Sequence, residues 1–325
     1  MAVNLVVSIV LPILLLRFFV PIFIGMNQVE KHLSKSVSKG DFKSLARIIT
    51  IVENELKGYE ELLLNLQPAQ TPVIGITGPP GSGKSSLLNS IVKILIQQQK
   101  RVAVVAIDPT SPFNYGSLLG DRVRMPELFN LPNVFIRSVA TRGSLGGLSE
   151  KIIEITDVLR TAGFDFIFVE TVGVGQSEVE IAGLADVTIV VFVPESGDEI
   201  QTMKSGVMEI ADIFIVNKSD HEGADSFAEN LRKRVGEGQT FPPVLKTSAI
   251  LNEGIQEVIS EVEKVLSTAK ISEKKIYLLT EKAFRLIQRE RMNNVSKQKL
   301  MDELRNEMNK IDFNLYRFIK QQRMI

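Results

Sequence analysis

The chain has 325 residues, 44% of them hydrophobic, a length that suits one large α/β domain with additions, or two domains, around a sizeable core. Lysine plus arginine number 38 and so do aspartate plus glutamate; that balance exerts no general pull on nucleic acid, and no basic stripe interleaved with aromatics argues for one. Cysteine is absent and His32 and His221 are the only histidines, which excludes disulfides, thiolate zinc sites and cysteine nucleophiles and leaves oxygen-ligand metals such as Mg²⁺.

Ala2 to Gly25 is almost wholly apolar, with Arg17 its single charge, and is long enough to span a membrane. Pro12, Pro21 and the mid-segment arginine weaken that reading, and a cleaved signal peptide fits poorly because no basic region precedes the apolar run. Three readings stay open: a mis-assigned start with Met26 as the true one, a membrane anchor, or a buried helix. If the segment inserts, Lys31, Lys35, Lys39 and Lys43 favour a cytoplasmic body, and any membrane contact is limited to residues 1–25.

From Met26 to Leu66 the apolar spacing (Leu33, Val37, Phe42, Leu45, Ile48, Ile49, Val52, Leu56) predicts helix, broken at Gly40-Asp41 and ended before Pro68. Short β-branched runs follow at Val73–Thr77, Arg101–Ile107, Val134–Ala140, Asp165–Glu170, Val187–Val193, Asp212–Asn217 and Val244–Thr247. Strands alternating with helices predict an α/β fold, a mainly parallel sheet covered on both faces, with ligands at the carboxyl ends of strands. After Leu251 the pattern returns to helix, at Ile255–Leu266, Lys274–Gln288 and Val295–Gln321. The expected organisation is an apolar extension (1–25), a helical N-terminal extension (26–70), a nucleotide domain (71–270) and a helical arm (271–325).

Two motifs indicate GTP. Gly78-Pro79-Pro80-Gly81-Ser82-Gly83-Lys84-Ser85, between a strand and a helix, reads as a phosphate-binding loop. Its glycines let backbone N–H groups turn toward phosphate oxygens, Lys84 reaches the β- and γ-phosphates, the Ser85 hydroxyl ligates Mg²⁺, and Ser86 continues the loop into the helix. Asn217-Lys218-Ser219-Asp220, after the sixth run, reads the base: the Asp220 carboxylate accepts from guanine N1–H and the 2-amino group, donors that adenine lacks there. Thr247-Ser248-Ala249 would offer backbone N–H groups to guanine O6.

Further candidates sit at other strand ends. Asp108 opens a polar loop that contains Gly120-Asp121-Arg122, while Phe168-Val169-Glu170-Thr171-Val172-Gly173 ends the fourth run. Glu170 takes the position where many GTPases hold Mg²⁺ with an aspartate, and Gly173 the position whose N–H meets the γ-phosphate. The longer glutamate suggests a different Mg²⁺ shell, completed by Asp108 or Asp121. Gln176 and Asp108 are equal candidates for orienting the attacking water.

The run Glu170-Thr171-Val172-Gly173-Val174-Gly175-Gln176-Ser177, with Gly120-Asp121-Arg122, Arg142-Gly143-Ser144-Leu145-Gly146-Gly147-Leu148 and Gly197-Asp198-Glu199, resembles the methylmalonyl-CoA mutase-associated GTPases of the MeaB/ArgK family. The resemblance implies a P-loop GTPase domain of the signal-recognition-particle/MinD-like class, flanked by N- and C-terminal helices. It implies a cytoplasmic, GTP- and Mg²⁺-dependent chaperone of an adenosylcobalamin-dependent methylmalonyl-CoA mutase. Such a chaperone gates cofactor loading by an adenosyltransferase, protects or reactivates the mutase, and dimerises through its C-terminal helices. It also makes Pro109–Met125 a first switch, Thr171–Ser177 part of a second, and Pro194–Lys204 a third that communicates with the mutase. Competing functions are a kinase or ATPase tied to arginine/ornithine (LAO/AO) transport, a metal-insertion GTPase, and a low-turnover GTP-binding scaffold. Asp220 argues against the first, and the lack of cysteine and histidine ligands against the second.

Overall fold

The computed structural model describes residues 41–67, 69–108, 125–129, 131–141, 151–171, 173, 181–196, 205–236, 241–268, 273–292, 295–308 and 313–322. The apolar segment 1–25 and the helix expected over residues 26–40 lie outside them. The chain divides into two compact units, residues 1–270 and 271–325.

The first unit opens with α1 (Phe42–Glu53) and α2 (Tyr59–Leu64). Asp41 caps α1: its carboxylate accepts from Lys43 N–H at 3.0 Å and from the Ser44 hydroxyl at 2.6 Å, which satisfies a donor the helix cannot satisfy itself. Leu45, Ile48, Ile49 and Val52 form one buried stripe. Each such side chain contributes about 1.5–3 kcal/mol on leaving water, so packing rather than intrinsic propensity holds α1 in place.

The strands are β1 (Val73–Thr77), β2 (Val102–Asp108), β3 (Val134–Ala140), β4 (Phe166–Glu170), β5 (Val187–Phe192), β6 (Ile213–Val216) and β7 (Val244–Lys246). Between them run α3 (Lys84–Gln97), α4 (Ile152–Arg160), α5 (Ser205–Ile210) and α6 (Ala224–Val235), and α7 (Ile255–Thr268) follows β7. The strands form one all-parallel sheet in the order β3-β2-β4-β1-β5-β6-β7. Side chains alternate between its faces as the two-residue period of a strand requires. Ala103, Val105 and Ile107 of β2 join the cluster with α1 and α4, whereas Val102 and Val104 join the opposite cluster with α3 and α7. Cover on both faces is why these strands read as continuous apolar runs. The edge strand β3 is tied to α1 through Arg137 Nη2, which donates to Glu53 Oε2 at 2.9 Å.

This order sets the site. With β4 between β2 and β1, the carboxyl ends of β2, β4 and β1 lie in a row. Ile76 pairs with Glu170, and Ala106 pairs with Glu170 from the other side. The second unit contains α8 (Glu273–Met292), α9 (Lys297–Glu307) and α10 (Leu315–Gln322), with Ser296 capping α9 by accepting from Lys299 N–H at 3.3 Å. Among the described residues no helix is long and apolar enough to cross a membrane.

Candidate functional site

The loop after β1 turns back on itself through Gly78, Gly81 and Gly83, all with positive φ, and enters α3 at Lys84. Gly83 has no room for a side chain: a Cβ there would stand 2.3 Å from Asn217 Nδ2. Lys84 is 6% exposed, and its Nζ donates to Gly78 O at 2.7 Å and Pro79 O at 2.9 Å, which holds the ammonium across the loop mouth. Pro79 and Pro80 stiffen the outer rim of the loop, where Gly81 and Ser86 are exposed and Ser82 is fully buried.

One strand over, Glu170 closes β4 at 2% exposure, and Ser85 Oγ donates to its Oε1 at 2.5 Å. One hydroxyl beside one carboxylate at the mouth of a phosphate loop fits Mg²⁺, which takes few protein ligands and fills its octahedron with phosphate oxygens and water. The Thr77 and Thr171 hydroxyls lie 2.9 Å apart and pin the end of β1 to the end of β4. Gly173 then passes so close to the loop that a Cβ would stand 2.3 Å from Gly78 O and 2.7 Å from Lys84 Nζ, with φ at +82°. The chain thus brings the Gly173 backbone to the place where the γ-phosphate would meet Lys84. Asp108, 0% exposed, ends β2 next to β4. Asp121 and Gln176 lie outside the described residues, as do the loops 142–150 and 197–204.

At the other end of the site, Asn217 is 2% exposed and works as a clamp. Its Nδ2 donates to Ser82 O at 2.9 Å, while its Oδ1 accepts from Thr247 Oγ1 at 3.1 Å and from Ala249 N–H at 3.3 Å. One side chain therefore joins the phosphate loop to both base loops. Lys218 adopts φ +55°, a left-handed conformation that is uncommon without glycine and costs on the order of 1 kcal/mol. The Asp220 carboxyl is held below the usual carboxylate range, chiefly by the Ser248 hydroxyl, then by its own backbone N–H, with positive charge from His221 and Lys218 adding to the effect. A carboxylate held in that state is ionised and can only accept hydrogen bonds.

The loop after β7 differs from the expectation in one respect. Ser248 N–H donates to Glu253 O at 3.1 Å, and Glu253 N–H returns the bond at 3.0 Å. That bridge engages Ser248, which leaves the longer Ala249 N–H bond as the one suited to sharing with guanine O6. Ser90 Oγ of α3 donates to Ala249 O at 3.0 Å and braces the loop from below. Sequence reasoning also missed Glu195 and His221, whose Nδ1 and Oε1 atoms lie 2.5 Å apart beside Asp220. The available signal was the position of His221, one of two histidines in the chain, immediately after Asp220.

A lysine-bearing glycine loop and an aspartate-bearing base loop held together by one buried asparagine make this a P-loop GTPase, a binder of guanine nucleotides. The family described as methylmalonyl-CoA mutase-associated GTPase MeaB matches residues 45–308, and the chain belongs to that family. It is 47% identical over 242 residues to a GTPase-named protein of Pyrococcus abyssi, covering 72% of this chain and 75% of that one. To the Escherichia coli GTPase ArgK it is 37% identical over 248 residues, covering 70% and 74%. It is also 37% identical over 264 residues to the mouse mitochondrial protein named methylmalonic aciduria type A homolog, covering 72% and 63%. The crystal structure of a LAO/AO transport system kinase shares the fold, with a TM-score of 0.65 at 24% identity over 91% of this chain and 97% of that one.

Proposed function

We propose that this GTPase is a chaperone of an adenosylcobalamin-dependent methylmalonyl-CoA mutase, gating cofactor loading by an adenosyltransferase and protecting or reactivating the mutase. The family match over residues 45–308 supports the partner. The observation that carries the mechanism is the Asn217 clamp, because a base loop bonded to the phosphate loop makes the nucleotide state felt across the whole site. Backbone N–H groups of Gly81–Ser85 cradle the phosphates, Lys84 neutralises charge developing between the β- and γ-phosphates, and Asp220 selects guanine. Ser85 and Glu170 would hold Mg²⁺, which would supply positive charge against the phosphates. Gly173 N–H would contact the γ-phosphate, and Asp108 or Gln176 the attacking water.

The helices of residues 271–325 serve as a dimer arm, a role supported by the exposed Phe284 and Ile287, one helical turn apart on α8. A second reading, a kinase linked to arginine or ornithine transport, draws on the name of the crystallised neighbour and requires ATP, whose base offers an acceptor where Asp220 needs donors. Size-exclusion chromatography of the full chain with purified mutase tests the leading reading. Co-elution in the presence of guanine but not adenine nucleotides is expected. Separate elution under every nucleotide condition contradicts it.

A further inference from the structure

β5 and β6 run side by side with Phe192 opposite Val216, so the turn Pro194–Ser196 that leaves β5 and the loop Asn217–Asp220 that leaves β6 emerge as neighbours. His221 stands between them. Its Nδ1 lies 2.5 Å from Glu195 Oε1 and its Nε2 3.8 Å from Asp220 Oδ2, so one imidazole faces a carboxylate from each loop. Glu195 is held below the usual carboxylate range, first by its own backbone N–H, then by His221, with Lys218 adding positive charge. An ionised carboxylate can only accept, which makes Nδ1–H the donor. On its other side Nε2 reaches Asp220 Oδ2 at 3.8 Å, within ion-pair range and beyond hydrogen-bond range, and Lys218 supplies positive charge to each carboxylate.

Asp220 is exposed, and a carboxylate on an exposed loop has rotamers that a base-reading group must not sample. We infer that His221 is a positioning residue for guanine selection: tethered to Glu195, it holds the Asp220 carboxylate in its base-reading orientation, so that the turn after β5 takes part in choosing the nucleotide. This rests on the reading of Asp220 as the guanine-selecting group. Because the His221 and Glu195 side chains are 44% and 54% exposed, their pairing is of the modest, salt-sensitive kind, worth a few-fold in selectivity rather than orders of magnitude.

The test is calorimetric titration of the full chain with GDP and with IDP, whose base lacks the 2-amino group that Asp220 reads. His221→Gln and Glu195→Gln should each lower the GDP-over-IDP affinity ratio about three- to fivefold. The double variant should lose no more than either alone, since both substitutions break one tether. In the unaltered protein, about 1 M salt should move the ratio toward the variants' value. Both positions are exposed, so the variants fold, and a merely structural role would leave the ratio alone. Unchanged ratios in both single variants, or losses that add in the double, overturn the inference. Asp220→Asn distinguishes a failed tether from a failed base contact. If it collapses the ratio while the other variants do not, the tether fails and the base reading stands; if it too leaves the ratio intact, the base reading fails.

Discussion

The Ser85 hydroxyl donates to Glu170 Oε1 across 2.5 Å, joining the first turn of α3 to the end of β4. Along the chain the two residues are separated by β2, β3 and α4, yet they meet because β4 inserts next to β1 in the sheet. Glu170→Gln keeps the size and removes the charge. Mg²⁺-dependent GTP turnover should fall about 10²- to 10³-fold, the range seen when one group that stabilises developing charge is lost, while GDP affinity changes far less. Single-turnover hydrolysis decides this, and normal turnover in the variant removes Glu170 from the catalytic site.

At Gly173 the backbone passes close to both the phosphate loop and Lys84. An alanine Cβ would stand 2.3 Å from Gly78 O, a backbone atom that cannot swing away, at a φ of +82° that itself costs an L-residue about 1–2 kcal/mol. Gly173→Ala should therefore displace the phosphate loop and reduce both GTP affinity and hydrolysis. Fluorescent-nucleotide titration at wild-type affinity would show that the loop does not need this close approach.

Removing Asn217 should act on stability as well as binding. Asn217→Ala leaves the buried Ser82 carbonyl and Thr247 hydroxyl without the amide that satisfies them. At about 1–3 kcal/mol for each of the two stranded polar groups, the loss should reach about 2–6 kcal/mol. Equilibrium denaturation without nucleotide measures it, and a change below about 1 kcal/mol would mean that the clamp is dispensable for the fold.

Asp220 gives a pH dependence with a definite sign. Its carboxyl sits below the ordinary value of 3.8, chiefly through Ser248. Protonation would turn an acceptor into a donor, so guanine affinity should stay flat through neutral pH and fall only as pH drops through the lowered value. The linked stability behaves alike: it is present above the ordinary value and is lost as pH falls through the lowered one. Ser248→Ala removes the largest cause and should move the acid limb of GDP binding upward, toward ordinary carboxylate values. An unmoved limb would show that Ser248 does not hold the carboxylate.

The strand positions were legible because each strand is a continuous β-branched run buried on both faces. Val73–Thr77 and Val134–Ala140 coincide with β1 and β3, and the others differ by a residue at one or both ends. The break expected at Gly40-Asp41 is the point where Asp41 caps α1. The phosphate loop was legible for a local reason: its glycines, lysine and serine are consecutive. What sequence could not display are contacts set by the sheet order. The Thr77–Thr171 hydroxyl pair joins residues 94 apart and the Ser90–Ala249 bond joins residues 159 apart. No local pattern encodes either.

If the chain acts as the proposed mutase chaperone, mutase binding and the nucleotide site are coupled, and coupling of that kind is reciprocal. The most direct measurement is stopped-flow GTP hydrolysis by the full chain, with and without purified adenosylcobalamin-dependent methylmalonyl-CoA mutase. Saturating mutase should raise the single-turnover rate, and GTP and GDP should shift the affinity for mutase in different measure. A hydrolysis rate unchanged at saturating mutase, together with a mutase affinity indifferent to the nucleotide, would contradict it.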